Sequence, residues 1–281
     1  METKDIAVLG IFLTVAVLEA CFTGLLRKKG EKRGDGIVEI LSITSMMLIS
    51  MPAAIAGGAF LTSLVVSRDA LAFLPWFAQL GLLLVFDDMF QYWWHRLSHS
   101  VPWLYKLHRP HHNAEYMSVR IVYRNNFFYY LFMPSLWMTG AFLYLGFGYV
   151  YAVYAVVKMA VIIGAHSDLR WDAPLYRVKW LSPVMWVVER TISTPATHAA
   201  HHGKYAADGI TNYKGNFGNL LFFWDVLFGT AKVTRRYPAE YGVENLPGTT
   251  VAEQMLWPLF RAPDEGAETA ELRPAIARGG S

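Results

Sequence analysis

The chain has 281 residues, of which 54% are hydrophobic and only 17% charged, against about a quarter charged in ordinary soluble domains. A formal net charge of +3 is too small for a nucleic-acid-binding surface. The single cysteine, Cys21, excludes a disulfide framework, a cysteine-built zinc site and an iron–sulfur cluster within one chain.

The apolar residues fall in runs. Residues 6–26 carry one charged residue, Glu19, and residues 37–66 carry only Glu39. Residues 70–86 have no charge, and the pattern runs on to Trp93 and Trp94. Residues 127–157 have none either, and after Lys158 the apolar pattern continues to Ala165. A helix needs roughly 20 such residues to cross the hydrocarbon core. The last run is long enough to fold back on itself, with a turn expected near Gly146, Phe147 and Gly148. The expected fold is an all-α integral membrane protein with about four to five transmembrane helices and a cytoplasmic helical cap. Residues 1–94 would form the N-terminal spans, and 95–261 a second region, which holds all the histidines and includes a transmembrane hairpin at about 127–165. Residues 262–281 read as a disordered tail, being small, polar and Pro/Gly-bearing. Cys21 reads as a core or lipid-facing thiol, because Glu2, Lys4 and Asp5 do not make the positive segment that opens a signal peptide.

Basic residues set the orientation. Arg27, Lys28, Lys29, Lys32 and Arg33 lie between the first two runs, whereas Arg68 and Asp69 follow the second. Positive charge near span ends is retained in the cytoplasm. The N-terminus is therefore expected outside and the first loop inside. Arg120, Arg124, Arg170, Arg177 and Lys179 fall on the same inner side.

All nine histidines lie between His95 and His202. They form H-R-L-S-H (His95, His99), H-R-P-H-H (His108, His111, His112), a lone His166, and H-A-A-H-H (His198, His201, His202). Residues three and four apart share a helix face, so each cluster is expected to aim its imidazoles at one point. Neutral imidazole suits iron, zinc or copper, and no cluster of thiolates competes. A catalytic zinc takes about three protein ligands, so this many imidazoles point to two ions. Haem is a rival holder of histidine pairs, but it does not require adjacent His–His pairs.

Asp88, Tyr92, His95 and His99 are spaced by four, three and four, a polar stripe on an apolar helix. Metal-bound histidines commonly donate their second N–H to a carboxylate. Asp88 is a candidate for that acceptor, with pairing of Asp87 or Asp88 to Arg96 as the alternative. Trp93, Trp94 and Trp103 read as interfacial aromatics. Residues 171–193, with Trp180, Trp186, Arg177 and Lys179, have the composition of a helix lying in the membrane interface. Asn212, Asn216 and Asn219 read as turn residues, or as outer partners of the ligands. Glu115 and Arg120 are further candidates for polar groups near the metals.

The order D-D-M-F-Q-Y-W-W-H-R-L-S-H, H-R-P-H-H, H-A-A-H-H resembles the fatty acid hydroxylase/sterol desaturase superfamily. The segment G-N-F-G-N-L-L-F-F-W-D-V-L-F-G-T is similar to that family's closing signature. The resemblance covers about half the chain, from Asp87 to Thr230. It implies a non-haem di-iron centre on the cytoplasmic face, O2 as co-substrate, and hydroxylation or desaturation of a lipid entering from the bilayer. Sterols, fatty acyl or sphingolipid chains, ether lipids and carotenoids all fit. By match, His95, His99, His108, His111, His112, His198, His201 and His202 take the ligand roles, and His166 matches a lone histidine ending the last span. Some relatives carry a second histidine shortly after it, where this chain has Asp168 and Arg170, so Asp168 or a water would complete that shell. No dinucleotide motif or cysteine cluster is present, which implies a separate electron donor: a reductase, ferredoxin or small cytochrome. Two other classes compete: a membrane zinc hydrolase using the same ligands, and a non-catalytic metal or haem binder.

Overall fold

Apolar length dictates the frame. Among the described residues, three helices are long and apolar enough to cross a membrane: α1 (Thr3–Phe22), the unit Asp35–Ser63, and a late helix, Gly148–His166. The computed structural model describes residues 3–26, 28–246 and 248–261. It is helical throughout, and among the described residues the only β-type pairings are two isolated bridges. The tail at 262–281 and Arg27 lie outside the described residues.

The second unit consists of α2 (Asp35–Ser45), a π-helical turn (Met46–Ser50) and α3 (Met51–Ser63). Pro52 sits in the first turn of α3, where it cannot donate a backbone hydrogen bond, and the wider turn just before it accommodates that loss. The third run forms α4 (Trp76–Leu83), another π turn (Leu84–Asp88) and α5 (Met89–Ser98), with Asp87 and Asp88 buried in the π turn. After α6 (Pro102–His112) come α7 (Phe127–Leu131), α8 (Pro134–Tyr144) and α9 (Gly148–His166).

Here the expected architecture needs correction. The first arm of the hairpin is broken before Pro134, and α8 alone has 11 residues. At about 1.5 Å per residue it falls well short of a hydrocarbon core about 30 Å thick. Among the described residues three helices, rather than four or five, are long and apolar enough to cross. The turn itself falls where expected, with Gly146 at φ +101°, a left-handed conformation that favours glycine. Small residues let α3 and α8 touch: a Cβ on Gly140 would lie 1.9 Å from the Ile55 carbonyl oxygen, and one on Gly58 would lie 2.0 Å from that of Trp137.

The two ends of this bundle differ. At one, the 64–75 loop meets the hairpin turn: the Asp69 N–H donates to the Tyr144 carbonyl (3.0 Å) and Leu71 to Leu145 (3.1 Å). At the other, the buried Glu19 carboxylate accepts from Ser118 Oγ (2.6 Å), the Val119 N–H (3.1 Å) and the Asp168 N–H (3.0 Å). Glu19 thus joins the end of α1 to the loop before the α7–α8 arm and to the end of α9. Asp87 accepts from Tyr154 Oη (2.6 Å) and from Lys158 Nζ, fastening α9 to the π turn.

The remaining elements gather at the Glu19 end. They are α10 (Ala173–Tyr176), α11 (Ser182–Thr191), α12 (Pro195–His201), α13 (Phe223–Leu227) and α14 (Val251–Leu256). α14 is strapped to α6 by the buried pair Arg109–Glu253 (2.9 Å). Fully buried Arg124 reaches both Asp35 at the start of α2 (2.7 Å) and Gln254 (3.1 Å).

Candidate metal centre

Four elements deliver the histidines to the Glu19 end. His95 and His99 close α5; His108, His111 and His112 occupy the last turns of α6; His166 ends α9; His198 and His201 lie on α12, with His202 just after it. α12 starts sharply because Pro195 opens it and Thr194 caps it, the Thr194 and Thr197 side chains each taking a backbone N–H of the other residue. Its register is thereby fixed one turn ahead of the first ligand, His198.

The histidines converge as two sets. Nitrogens of His95, His99, His108, His112 and His201 lie within 4.8 Å of one another, and so do those of His111, His166, His198 and His202. The expectation that each cluster aims at one point is wrong for two clusters. H-R-P-H-H sends His108 and His112 to the first set and His111 to the second; H-A-A-H-H sends His201 to the first and His198 and His202 to the second. Neighbours on a helix are rotated by about 100°, so adjacent histidines must diverge while i and i+4 stay together. The rings of His111 and His112 are inclined at 85°, those of His201 and His202 at 89°.

Each set is prepared for a cation. Backbone carbonyls take the Nδ1 side of His95 (Phe217, 2.7 Å), His111 (Ile121, 2.9 Å), His166 (Ile162, 2.7 Å) and His201 (Gly215, 2.8 Å). Asn125 Oδ1 does the same for His108 at 2.8 Å. A carbonyl can only accept, so Nδ1 carries the proton and Nε2 presents its lone pair. The Nε2 atoms of His95, His99 and His201 are buried without a hydrogen-bond partner. In the second set Nε2 atoms face each other, 2.9 Å between His198 and His166 and 3.4 Å between His166 and His111. Converging unprotonated nitrogens repel unless a cation lies between them. Burial holds His108, His111, His112, His198, His201 and His202 well below the ordinary imidazole pKa, so they are neutral and able to bind metal. An all-imidazole donor set of this kind fits iron or another borderline divalent ion.

Several residues expected near the metals lie elsewhere. Asp168 does not complete a shell: its carboxylate pairs with Lys28 (3.0 Å) and Arg170 (3.6 Å). Glu115 pairs with Lys32 and Lys204, and Arg120 with Glu31 and Glu39. Asp88 partners neither a histidine nor Arg96; its carboxylate accepts from Trp224 Nε1 (2.8 Å) and the Leu221 N–H (3.2 Å). Tyr92 bonds Thr230 Oγ1 (2.9 Å) and packs edge-on against Phe217, whose carbonyl holds His95.

Asn125 and Asp225 are the supporting residues that spacing did not reveal. The fully buried Asp225 accepts from the Phe217 N–H (2.8 Å), the Gly218 N–H (2.6 Å) and Thr230 Oγ1 (2.6 Å). It thereby shapes the loop whose carbonyls orient His95 and His201. Asn216, at φ +57°, donates to the Thr197 carbonyl (2.9 Å) and ties that loop to α12. The closing signature could have pointed to Asp225, since a lone carboxylate between apolar residues requires donors.

The chain is 28% identical over 158 residues to an alkylglycerol monooxygenase of Xenopus tropicalis, covering 56% of this chain and 30% of the relative. For the Danio rerio alkylglycerol monooxygenase the identity is 29% over 161 residues, covering 55% and 30%. For the human one it is 26% over 236 residues, covering 78% and 46%. The chain thus spans 30% to 46% of the length of these relatives. No solved structure matches significantly. The fatty acid hydroxylase model matches residues 80–230, a segment that includes every histidine and the loop shaped by Asp225, and the chain belongs to the fatty acid hydroxylase family.

Proposed function

We propose that this protein is a membrane-bound, O2-dependent lipid monooxygenase with two non-haem irons, and that its substrate is an alkyl-ether glycerolipid. One observation carries the reading: nine histidines, in sets of five and four, converge at one end of helices fit to cross a bilayer. Haem iron takes axial ligands in ones and twos, so sets of this size do not match it. A zinc hydrolase leaves the five-nitrogen set unexplained, because catalytic zinc uses about three protein ligands. The relatives named alkylglycerol monooxygenase support the substrate choice among the lipids open to the family.

The reaction is RH + O2 + 2 e⁻ + 2 H⁺ → ROH + H2O. Iron held by the two sets would supply O2 activation and attack on an unactivated C–H bond. The chain's own groups keep the imidazoles neutral by burial, fix their tautomers through carbonyls and Asn125, and exclude bulk water from the nitrogens. Electrons come from a separate reductase, ferredoxin or small cytochrome. The basic loop at Lys28–Arg33 lies at the same end as the histidines and Arg68 at the other, which supports a cytoplasmic site with the N-terminus outside.

Protein purified anaerobically in mild detergent should hold two irons per chain. With a reduced donor it should consume O2 and place one labelled oxygen from 18O2 into an alkylglycerol. One metal or fewer in active protein would overturn the two-iron reading, and zinc without O2 uptake would favour the hydrolase. Single cysteines at Lys29, Arg68 and Lys204 in a Cys21→Ser background test orientation. Only position 68 should react with an impermeant reagent in intact cells.

A further inference from the structure

α11 has two unlike faces. Met185 and Glu189 are buried, Glu189 being held by Arg235 at 2.9 Å, so the orientation of the helix is fixed. The opposite face presents Val184, Trp186 and Val187 outward, and Trp180 just before the helix is 77% exposed. The patch continues onto α13, which packs against α11 and exposes Phe223 and Leu227. A bridge between Ile192 and Leu221, and the Ser193 N–H donating to the Leu220 carbonyl (3.1 Å), join the two segments. Contiguous apolar surface of this kind marks a site of contact with a partner or membrane.

Its depth relative to the histidines follows from the contacts. Leu221 and Trp224 bond Asp88, which precedes His95 by two helical turns, about 10 Å at about 1.5 Å per residue. The α11–α13 face therefore lies on the apolar-helix side of the metal centre. Cations border it: Arg177 and Lys179 are exposed and form no ion pair among the described residues. Arg190 covers the Trp186 ring at 4.5 Å and already has Glu189.

We propose that α10, α11 and α13 form a docking face for the anionic leaflet of the membrane the chain crosses. Trp180, Val184, Trp186, Val187 and Leu227 enter the acyl boundary, and Arg177 and Lys179 meet lipid phosphates. Tryptophans flanked by basic residues beside an apolar helix face match the chemistry of that boundary. α11 leads directly into α12, so this face couples the leaflet to the segment bearing His198, His201 and His202. The proposal requires a bilayer but no bound metal, and it fails or stands separately from the oxygenase reading.

The test uses the full chain in a Cys21→Ser background, with a nitroxide at position 187, 227 or 204. The labelled protein is placed in nanodiscs of phosphatidylcholine with or without phosphatidylglycerol. Labels at 187 and 227 should collide more often with membrane-soluble O2 than with an aqueous nickel chelate, and the label at 204 should show the reverse. Phosphatidylglycerol should deepen position 187, and Arg177→Gln with Lys179→Gln should remove that shift while leaving helix content unchanged. Collision with nickel at 187 as frequent as at 204 would overturn the proposal, showing a face in water. Spin–spin broadening at 187 would also overturn it, showing that a second copy covers the face. Deep burial at 187 that ignores both phosphatidylglycerol and the Arg177/Lys179 change would refute the anionic specificity.

Discussion

Replacing Asp225 with alanine removes one carboxylate and strands several donors. Phe217 and Gly218 lose the acceptors at 2.8 and 2.6 Å, whereas Thr230 Oγ1 keeps Tyr92 Oη at 2.9 Å. Two buried N–H groups without partners cost about 1–3 kcal/mol each, so the loop loses about 2–6 kcal/mol. The Phe217 carbonyl then no longer holds His95, and the Gly215 carbonyl in the same loop loosens its hold on His201. Both histidines belong to the five-member set, and the four-member set has no ligand held by this loop. Iron per chain should fall from two toward one, together with a lower unfolding midpoint in detergent. Asp225→Asn keeps the shape and one acceptor oxygen, and should lie between. Asp225→Ala protein that retains two irons and the parental midpoint would refute the role assigned to the carboxylate.

Asn125→Ala frees Nδ1 of His108, and metal affinity or turnover should drop by about 10–100-fold, measured by chelator competition. Gly140→Ala forces a methyl to within 1.9 Å of the Ile55 carbonyl oxygen and should cost about 1–3 kcal/mol in detergent unfolding. Gly81→Ala, where nothing lies within 4 Å, should be neutral or slightly stabilising. Arg109→Glu or Glu253→Arg alone should destabilise by about 3–5 kcal/mol, each leaving an uncompensated buried charge. The double exchange should recover part of that loss, as a double-mutant cycle would show.

The histidines were legible because nine of one residue type in four groups leave few alternatives. Their partition into two sets was not foreseen, because each cluster was expected to converge on one point; the signal was the rotation per residue, which separates His111 from His112. The outer partners were not. Asn125 is 17 residues from His108, and Asp88 finds Trp224 136 residues away, so no local spacing carries either contact. Asp88 was expected to serve a histidine two or three turns along its own helix. Instead the buried carboxylate satisfies a backbone N–H and an indole brought in by the closing segment. The short first arm of the hairpin had its own signal: Pro134 stands inside an apolar run, and hydropathy alone reads across it. The pairing of α14 with α6 rests on charges far apart in the chain and could be found only in three dimensions.

The interleaving of the two sets along single turns has an evolutionary consequence. Between His108 and His112, and between His198 and His202, the side chains other than His111, His201 and the ion-paired Arg109 can change while the number of residues cannot. One inserted or deleted residue would turn every later imidazole on that helix by about 100°, exchanging which set each one serves. Both sets would be damaged together, with no partly working intermediate in which one survives. These two stretches are therefore locked in length more tightly than in composition, and drift in this chain should appear there as substitutions and never as gaps.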